Sequence, residues 1–171
     1  YVTAGQALQG ALDVPYNNER INCKEKTRQM LELIPEGGNF TDIPRDNPLY
    51  VKGMISHVYR RIDRNEPSKT IIAAGGGGTW GYHYPEPRPL TNRERARLQS
   101  FPDNFKFMGN ITEVRRQIGN AVPPVGVRAV AKRLMPLFTG DYTPVNLQEE
   151  YEHLRSLTVK ERLDLVTQEM E

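Results

Sequence analysis

Glycine and proline set the strongest limit on how this chain can fold. The 171-residue sequence holds 14 glycines and 13 prolines, and both residue types weaken helices, proline most severely. This content is too high for a helical bundle and predicts long loops between short elements. The length suffices for one ordinary domain or for two small lobes.

Several classes of protein are excluded by features that the sequence lacks. No apolar run approaches the roughly 20 residues that a membrane-spanning helix needs, and residues 1–5 do not begin a signal peptide. A single cysteine, Cys23, excludes an internal disulfide framework, and the three scattered histidines offer no zinc-ligand spacing. We expect an intracellular protein without metal or membrane contact. Because the sequence lacks an initiator Met, we also expect a fragment or a processed product.

Charge is distributed unevenly along the chain. Residues 88–133 hold ten Lys or Arg residues and three acidic ones, whereas residues 141–171 hold eight acidic and three basic residues. A basic middle can meet phosphate. Solvated helix faces would give the same count, and charge alone favours that simpler interpretation.

Local patterns predict short helices separated by turns. Thr3 and Thr91 are plausible N-caps, and Thr91 with Glu94 forms a capping-box pattern. Thr158 with Glu161 forms a second such pattern in the acidic tail. The predicted helices lie within 1–14, at 24–34, from 91 to about 101, at 125–138 and in the tail after 144.

Other segments predict strands and turns. Thr70–Ala74 looks like a short buried strand, and Tyr50–Arg61 fits either a strand pair or a helical turn. Arg116–Pro124 predicts a strand or loop that turns sharply into a helix, because Gly-Asn favours turns and proline suits the first turn of a helix. The run Gly75–Gly78 fits either a spacer or a loop lying close to a ligand. No lysine follows it at the P-loop spacing.

Two segments resemble conserved motifs of one enzyme family. Arg88–Asp103 resembles the ninth conserved motif of the cytosine-5 DNA methyltransferases, and Arg116–Pro124 resembles their tenth. The order and the short separation also match. Residues 61–78 are similar to the end of the family's target recognition region, and Val2–Leu8 with Ile34–Asn39 is similar to stretches of bacterial members. The resemblance covers about residues 1–138.

The resemblance implies an α+β fold class. It implies a small mixed target-recognition lobe, residues 1–87, followed by helices at 88–140 that carry the two motifs. Those helices would complete an α/β S-adenosylmethionine-dependent methyltransferase fold by packing on a catalytic lobe. Residues 141–171 form an acidic helical tail outside the resemblance.

The resemblance also implies that the chemistry lies elsewhere. The family's Gly-rich cofactor loop, Pro-Cys nucleophile, Glu-Asn-Val segment and Gln-Arg-x-Arg segment are absent from these residues, and Cys23 follows Asn22 rather than proline. No catalytic residue is expected in this chain. We expect part of a DNA (cytosine-5)-methyltransferase of a restriction-modification system, inactive alone, with double-stranded DNA and the catalytic half as partners. Its location would be the bacterial cytoplasm, at the nucleoid.

Two rival interpretations stay open at this point. The first is a non-catalytic DNA-binding subunit of a two-chain methyltransferase, with the catalytic half encoded separately. The second is a structural protein with an unrelated basic surface.

Candidate site residues follow from the matched motifs. For S-adenosylmethionine the motif implies Gly119, Asn120, Ala121 and Val122, with the Asn120 side chain and the Ala121 N–H as donors to the methionine carboxylate. A capped turn without a ligand is the alternative.

For DNA, the resemblance implies that Thr70 contacts phosphate and that Gly75, Gly76, Gly77 and Gly78 form a recognition loop. Arg61 would contact phosphate or a guanine edge, or would be an ordinary surface arginine. The recognition lobe would be pinned to the catalytic lobe by hydrogen bonds and ion pairs of four residues, Arg88, Glu94, Arg97 and Gln99, unless their helix is a free surface helix.

Overall fold

The computed structural model describes residues 1–50, 52–53, 58–73, 81–141, 146–158 and 161. The chain divides into two compact units, Tyr1–Pro124 and Val125–Glu171. The expected division into 1–87, 88–140 and 141–171 stays a prediction.

Four helices lie in the described part of the first unit. They are α1 (Ala4–Leu8), α2 (Glu25–Leu33), α3 (Asn92–Leu98) and α4 (Ile111–Asn120). Three of them, α1 to α3, begin where a local signal predicts a helix or close to that point, whereas α4 was not predicted. Single 3₁₀ turns lie at Ala11–Asp13 and Phe40–Asp42. The predicted caps of α1 and α3 are confirmed, since Thr3 and Thr91 each accept from the N–H three residues on and close a capping box.

Helix α4 corrects the prediction for the Arg116–Pro124 segment. These residues are not a strand or loop up to the turn, because the helix continues through Gly119 and ends at Asn120. A short break at residues 121–123 separates it from the next helix. Gly119 and Asn120 therefore form the end of a helix and not a bend after a strand.

Extended pairing is sparse in the described part of the chain. It consists of two isolated bridges, Arg61 with Tyr82 and Tyr82 with Pro89. The strand predicted at Thr70–Ala74 is not seen, because residues 70–73 are irregular and Ala74 lies outside the described residues. Its apolar pattern reflects the packing of Ile71 into a helix core. The described residues therefore do not confirm the α+β class.

Two hydrophobic clusters hold the first unit together. One gathers α2 and the loop after it around Met30, Leu31, Ile34, Phe40, Ile43 and Tyr82. The other joins α3 to α4 through Ala96, Phe107, Val114 and Ile118, with Ile71 and Phe101 against it. Apolar spacing on α2 and α4 supplies these contacts. The second cluster places residues 70–73 beside both motif helices.

The second unit contains two helices in its described part, α5 (Pro124–Thr139, which starts at the boundary) and α6 (Leu147–Ser156). The predicted helix at 125–138 is confirmed, and Gly140 ends it in a left-handed conformation with φ of +81°. Among the described residues of α5, none is buried. The capping box at Thr158 and Glu161 forms, while most residues beyond it lie outside the described part.

Candidate functional site

Arg61 is turned toward the protein's own backbone. Its guanidinium donates to the carbonyl oxygens of Leu31 (3.1 Å), Ile34 (2.7 Å), His83 (3.2 Å) and Tyr84. Burial lowers the pKa of Arg61, and the charge of Glu36 opposes that shift. The side chain thus ties α2 to the 81–84 segment. The expected DNA contact of Arg61 stays a prediction, with few donors left to make it.

Thr70 lines an open cavity of about 690 Å³. The residue is exposed, as is Lys69 before it. Basic side chains outnumber acidic ones in the lining, with Arg60, Arg61, Lys69 and Arg95 against Asp63 and Glu66. Such a cavity can attract a phosphate. The expected recognition loop Gly75–Gly78 lies outside the described residues.

The expected cofactor residues lie at the end of α4. Asn120 is exposed, Val122 is 68% exposed, and Gly119 and Ala121 are half-buried. The Ala121 N–H donates to the Ile118 carbonyl oxygen at 3.3 Å, so this expected donor is already engaged. The Asn120 side chain makes no hydrogen bond within the described residues. Asn120 and Val122 are therefore the exposed residues of this segment.

Gln99 links the two motif segments directly. Its amide nitrogen donates to the carbonyl oxygens of Ile118 (3.1 Å) and Ala121 (3.4 Å). Both are carbonyls at the end of α4, where no further helical turn follows to supply N–H donors. Gln99 thereby fixes the position of the Gly119–Val122 segment against α3.

Arg97 links α3 to the N-terminal segment of the chain. It forms a two-pronged ion pair with Asp103 (2.8 and 2.6 Å) and donates to carbonyl oxygens at Ala7, Gln9 and Gly10. The hydrogen bond from Arg97 lowers the pKa of Asp103. This contact joins α3 to α1 and the turn that follows it.

Arg88 and Glu94 form a buried, bidentate ion pair at the start of α3. The two guanidinium nitrogens each donate to a Glu94 oxygen at 2.8 Å, and the carboxylate also accepts from the Thr91 N–H at 2.7 Å. Burial lowers the pKa of Arg88, but hydrogen bonds to Glu94 and Glu86 outweigh it and the net shift is upward. His83 lies 3.5 Å from Glu94, and burial followed by the Arg88 charge lowers the pKa of this histidine.

Three arginines of the basic middle are buried, contrary to the solvated-face interpretation. They are Arg93, Arg95 and Arg115, each at most 3% exposed. Arg93 donates to the Phe105 carbonyl oxygen at 2.7 Å and stacks over the Tyr16 ring. Burial, followed by the charge of Arg115, lowers the pKa of Arg95 to about 10. These three side chains therefore lie in the packed interior, although Arg95 also lines the cavity beside Thr70.

Sequence reasoning missed the buried arginines and Asn17. Asn17 is 6% exposed, and its side chain both accepts from the Phe107 N–H and donates to the Phe107 carbonyl oxygen. The two residues lie 90 positions apart, so no local pattern reveals the contact. The one signal for the arginines was that Arg93 precedes Ala96 by three residues and so shares a helix face with it.

The part of the chain that the structure describes offers no metal centre. No group of three or more His, Cys, Asp or Glu side chains there could hold a metal ion. None of the described helices is long and apolar enough to cross a membrane. Cys23 is a free thiol whose sulfur lies 4.0 Å from the Pro87 carbonyl oxygen.

Comparison with known proteins defines the class. The chain belongs to the C-5 cytosine-specific DNA methylase family, whose model matches residues 2–136. It is 65% identical over 166 residues to the Type II methyltransferase M.NgoFVII of Neisseria gonorrhoeae, a match that spans 97% of this chain and 44% of that protein.

Two further relatives extend the comparison. The chain is 41% identical over 167 residues to the Type II methyltransferase M.BbvI of Brevibacillus brevis, a match that covers 95% of this chain and 45% of the relative. It is 51% identical over 100 residues to the DNA (cytosine-5-)-methyltransferase M.ApeKI of Aeropyrum pernix, a match that covers 53% of the chain and 21% of that protein. The chain spans less than half the length of these relatives.

Proposed function

We propose that this chain forms the DNA-recognition and cofactor-closing part of a DNA (cytosine-5)-methyltransferase. The complete enzyme would transfer a methyl group from S-adenosylmethionine to C5 of cytosine within a specific duplex sequence. The family match over residues 2–136 carries the proposal. In this proposal Arg88–Asp103 and Arg116–Pro124 would be the ninth and tenth motifs, and the chain would be the C-terminal half of the enzyme.

The DNA-facing surface is proposed to include Thr70 and its cavity. Thr70 and Lys69 are exposed beside Arg60 at the rim, where a hydroxyl and two cations can hold a phosphate. Gly75–Gly78 would follow as a recognition loop in the major groove, where base pairs are distinguishable. Arg61 would act mainly by holding the segment at 81–84 in place.

The cofactor contact is proposed at Asn120 and Val122. The Asn120 side-chain amide is exposed and unengaged within the described residues, and Val122 beside it is exposed. An exposed amide donor suits a carboxylate, so these residues fit the methionine end of S-adenosylmethionine. Ala121 would contribute by position only, because its N–H is engaged. Gly119 and Gln99 would hold this segment in place.

These residues would serve the chemistry without performing it. S-adenosylmethionine, when bound, supplies the methyl group. The target cytosine must leave the base stack for any enzyme to reach its ring carbons, and Thr70 would hold backbone phosphate during that step. The nucleophilic cysteine would lie outside these 171 residues, since the sequence has no Pro-Cys pair. The exposed apolar side of α5 would pack on the catalytic part and complete the α/β fold.

A two-chain enzyme is the second candidate, because the missing nucleophile could belong to a separate polypeptide. The test is methyl transfer to duplex DNA from labelled S-adenosylmethionine. We expect no transfer by the 171-residue chain and transfer once the missing catalytic part is supplied. Transfer by the chain alone would contradict the assignment of chemistry to other residues. The coding region immediately upstream of Tyr1 distinguishes the two candidates, because an in-frame Pro-Cys segment there supports one long polypeptide and a separate reading frame supports two chains.

Substitution of Asn120 tests the cofactor contact. In the complete enzyme, Asn120→Ala should raise the dissociation constant for S-adenosylmethionine about tenfold or more, since a hydrogen bond to a charged group contributes roughly 1.5–3 kcal/mol. Cognate DNA affinity should change much less. Calorimetric titration with cofactor and fluorescence anisotropy with DNA measure the two effects.

Asn104→Ala is the matched control, because Asn104 is also exposed and lies in a turn outside α4. It should leave both affinities unchanged. An Asn120→Ala enzyme with unaltered cofactor affinity would remove Asn120 from the site.

A further inference from the structure

The end of α4 lies in direct backbone contact with the irregular segment at 71–73. A Cβ atom placed on Gly119 would lie 2.7 Å from the Ile72 carbonyl carbon and closer still to the backbone nitrogen and Cα of Ala73. These neighbours are main-chain atoms, so no change of rotamer can make room. Alanine is the better helix former, and its exclusion here is steric.

The contact is held firmly from both sides. Ile71 packs against the cluster of Ala96, Phe107, Val114 and Ile118, which keeps the 71–73 segment on α3 and α4. From the other side, Gln99 binds the Ile118 and Ala121 carbonyl oxygens that flank Gly119. A displacement of the segment would therefore displace the end of α4, because neither can move away from the other freely.

The residues that flank this contact belong to the two proposed binding surfaces. Thr70 directly precedes the 71–73 segment and is exposed toward the cavity assigned to DNA. Asn120 directly follows Gly119 and is exposed at the segment assigned to the cofactor. The Gly119 contact therefore joins the residues next to the two surfaces directly.

We propose that Gly119 is a positioning residue that couples DNA binding to cofactor binding. Its contact with Ile72 and Ala73 transmits the position of Thr70 to Asn120, so that occupancy of one surface raises the affinity of the other. This inference rests on the proposed function. Coupling between two sites is reciprocal and typically amounts to about 5–150-fold in affinity.

The test measures coupling in the complete methyltransferase. The probe is a duplex that carries the site methylated by the enzyme, located first by bisulfite sequencing of a treated plasmid. Its dissociation constant is measured with and without S-adenosylhomocysteine. We expect the wild type to bind DNA at least about fivefold tighter with S-adenosylhomocysteine, the product form of the cofactor, than without it. Gly119→Ala should reduce this ratio of dissociation constants, the coupling ratio, to nearly one. The loss should exceed any change in DNA affinity measured without the cofactor product.

Gly126→Ala is the matched control. Gly126 is also helical, but a Cβ atom placed on it would have no atom of the described residues within 4 Å beyond its own helix backbone and chain neighbours. This variant should keep the wild-type ratio. A wild-type ratio in Gly119→Ala, or a ratio of one in the wild type, would overturn the inference.

A second variant keeps the inference testable when Gly119→Ala fails to fold. Gln99→Met preserves side-chain length but removes the donor that fixes Ile118 and Ala121, so it should lower the coupling ratio while circular dichroism stays native. An unchanged ratio in that variant would overturn the inference. If the wild-type enzyme is active and the variants keep its coupling ratio, only the role of Gly119 is contradicted. If the wild type neither binds nor methylates DNA, the proposed function itself is contradicted.

Discussion

Glu94 shows how a single charged residue can organise the start of a helix. The residue is 1% exposed, and its carboxylate binds both terminal nitrogens of Arg88 and closes the capping box with Thr91. Glu94→Gln should destabilise the 171-residue chain by about 3 kcal/mol, because the buried Arg88 charge then keeps only the partly exposed Glu86 as its counter-ion. Urea unfolding measures the change in the free energy of unfolding.

The control for this residue is Glu86, which also pairs with Arg88 but through a side chain that is 40% exposed. Glu86→Gln should cost about 0–1 kcal/mol, since exposed ion pairs contribute little. Equal effects of the two substitutions would show that burial of Glu94 is not what makes its pairing important.

At the scale of elements, local chemistry predicted the starts of α1 and α3 but neither the extent of α4 nor what that helix touches. The caps at Thr3 and Thr91 were predictable because their partners lie three residues away. The continuation of α4 through Gly119 was not, because the reason for a glycine there is the distant backbone at Ile72 and Ala73. At this position a residue that weakens helices by propensity allows close packing of two backbones.

The candidate site was likewise predictable from the sequence only in part. Motif resemblance selected Gln99 and the 119–122 segment as important, and the structure adds that they bind each other. The resemblance could not show that the Ala121 N–H is engaged or that Arg61 faces backbone carbonyls. Charge counts likewise could not separate the buried Arg93 from arginines at the surface, because its partners are a non-local carbonyl and a ring.

For the molecule as a whole, α5 provides the clearest contrast between this chain and the complete enzyme. Val127, Val130, Leu134 and Phe138 share one side of the helix, and each is at least 46% exposed. In the complete enzyme, Leu134→Ser should cost roughly 2–3 kcal/mol of unfolding free energy if the catalytic part covers this side. In the 171-residue chain the same change should cost less than about 0.5 kcal/mol. Urea unfolding of both proteins measures the change. Lys132→Ser, on another side of α5, is the control and should change the free energy of unfolding little in either protein. A small effect of Leu134→Ser in the complete enzyme would mean that α5 does not pack on the catalytic part. The proposed completion of the α/β fold by this helix would then fail.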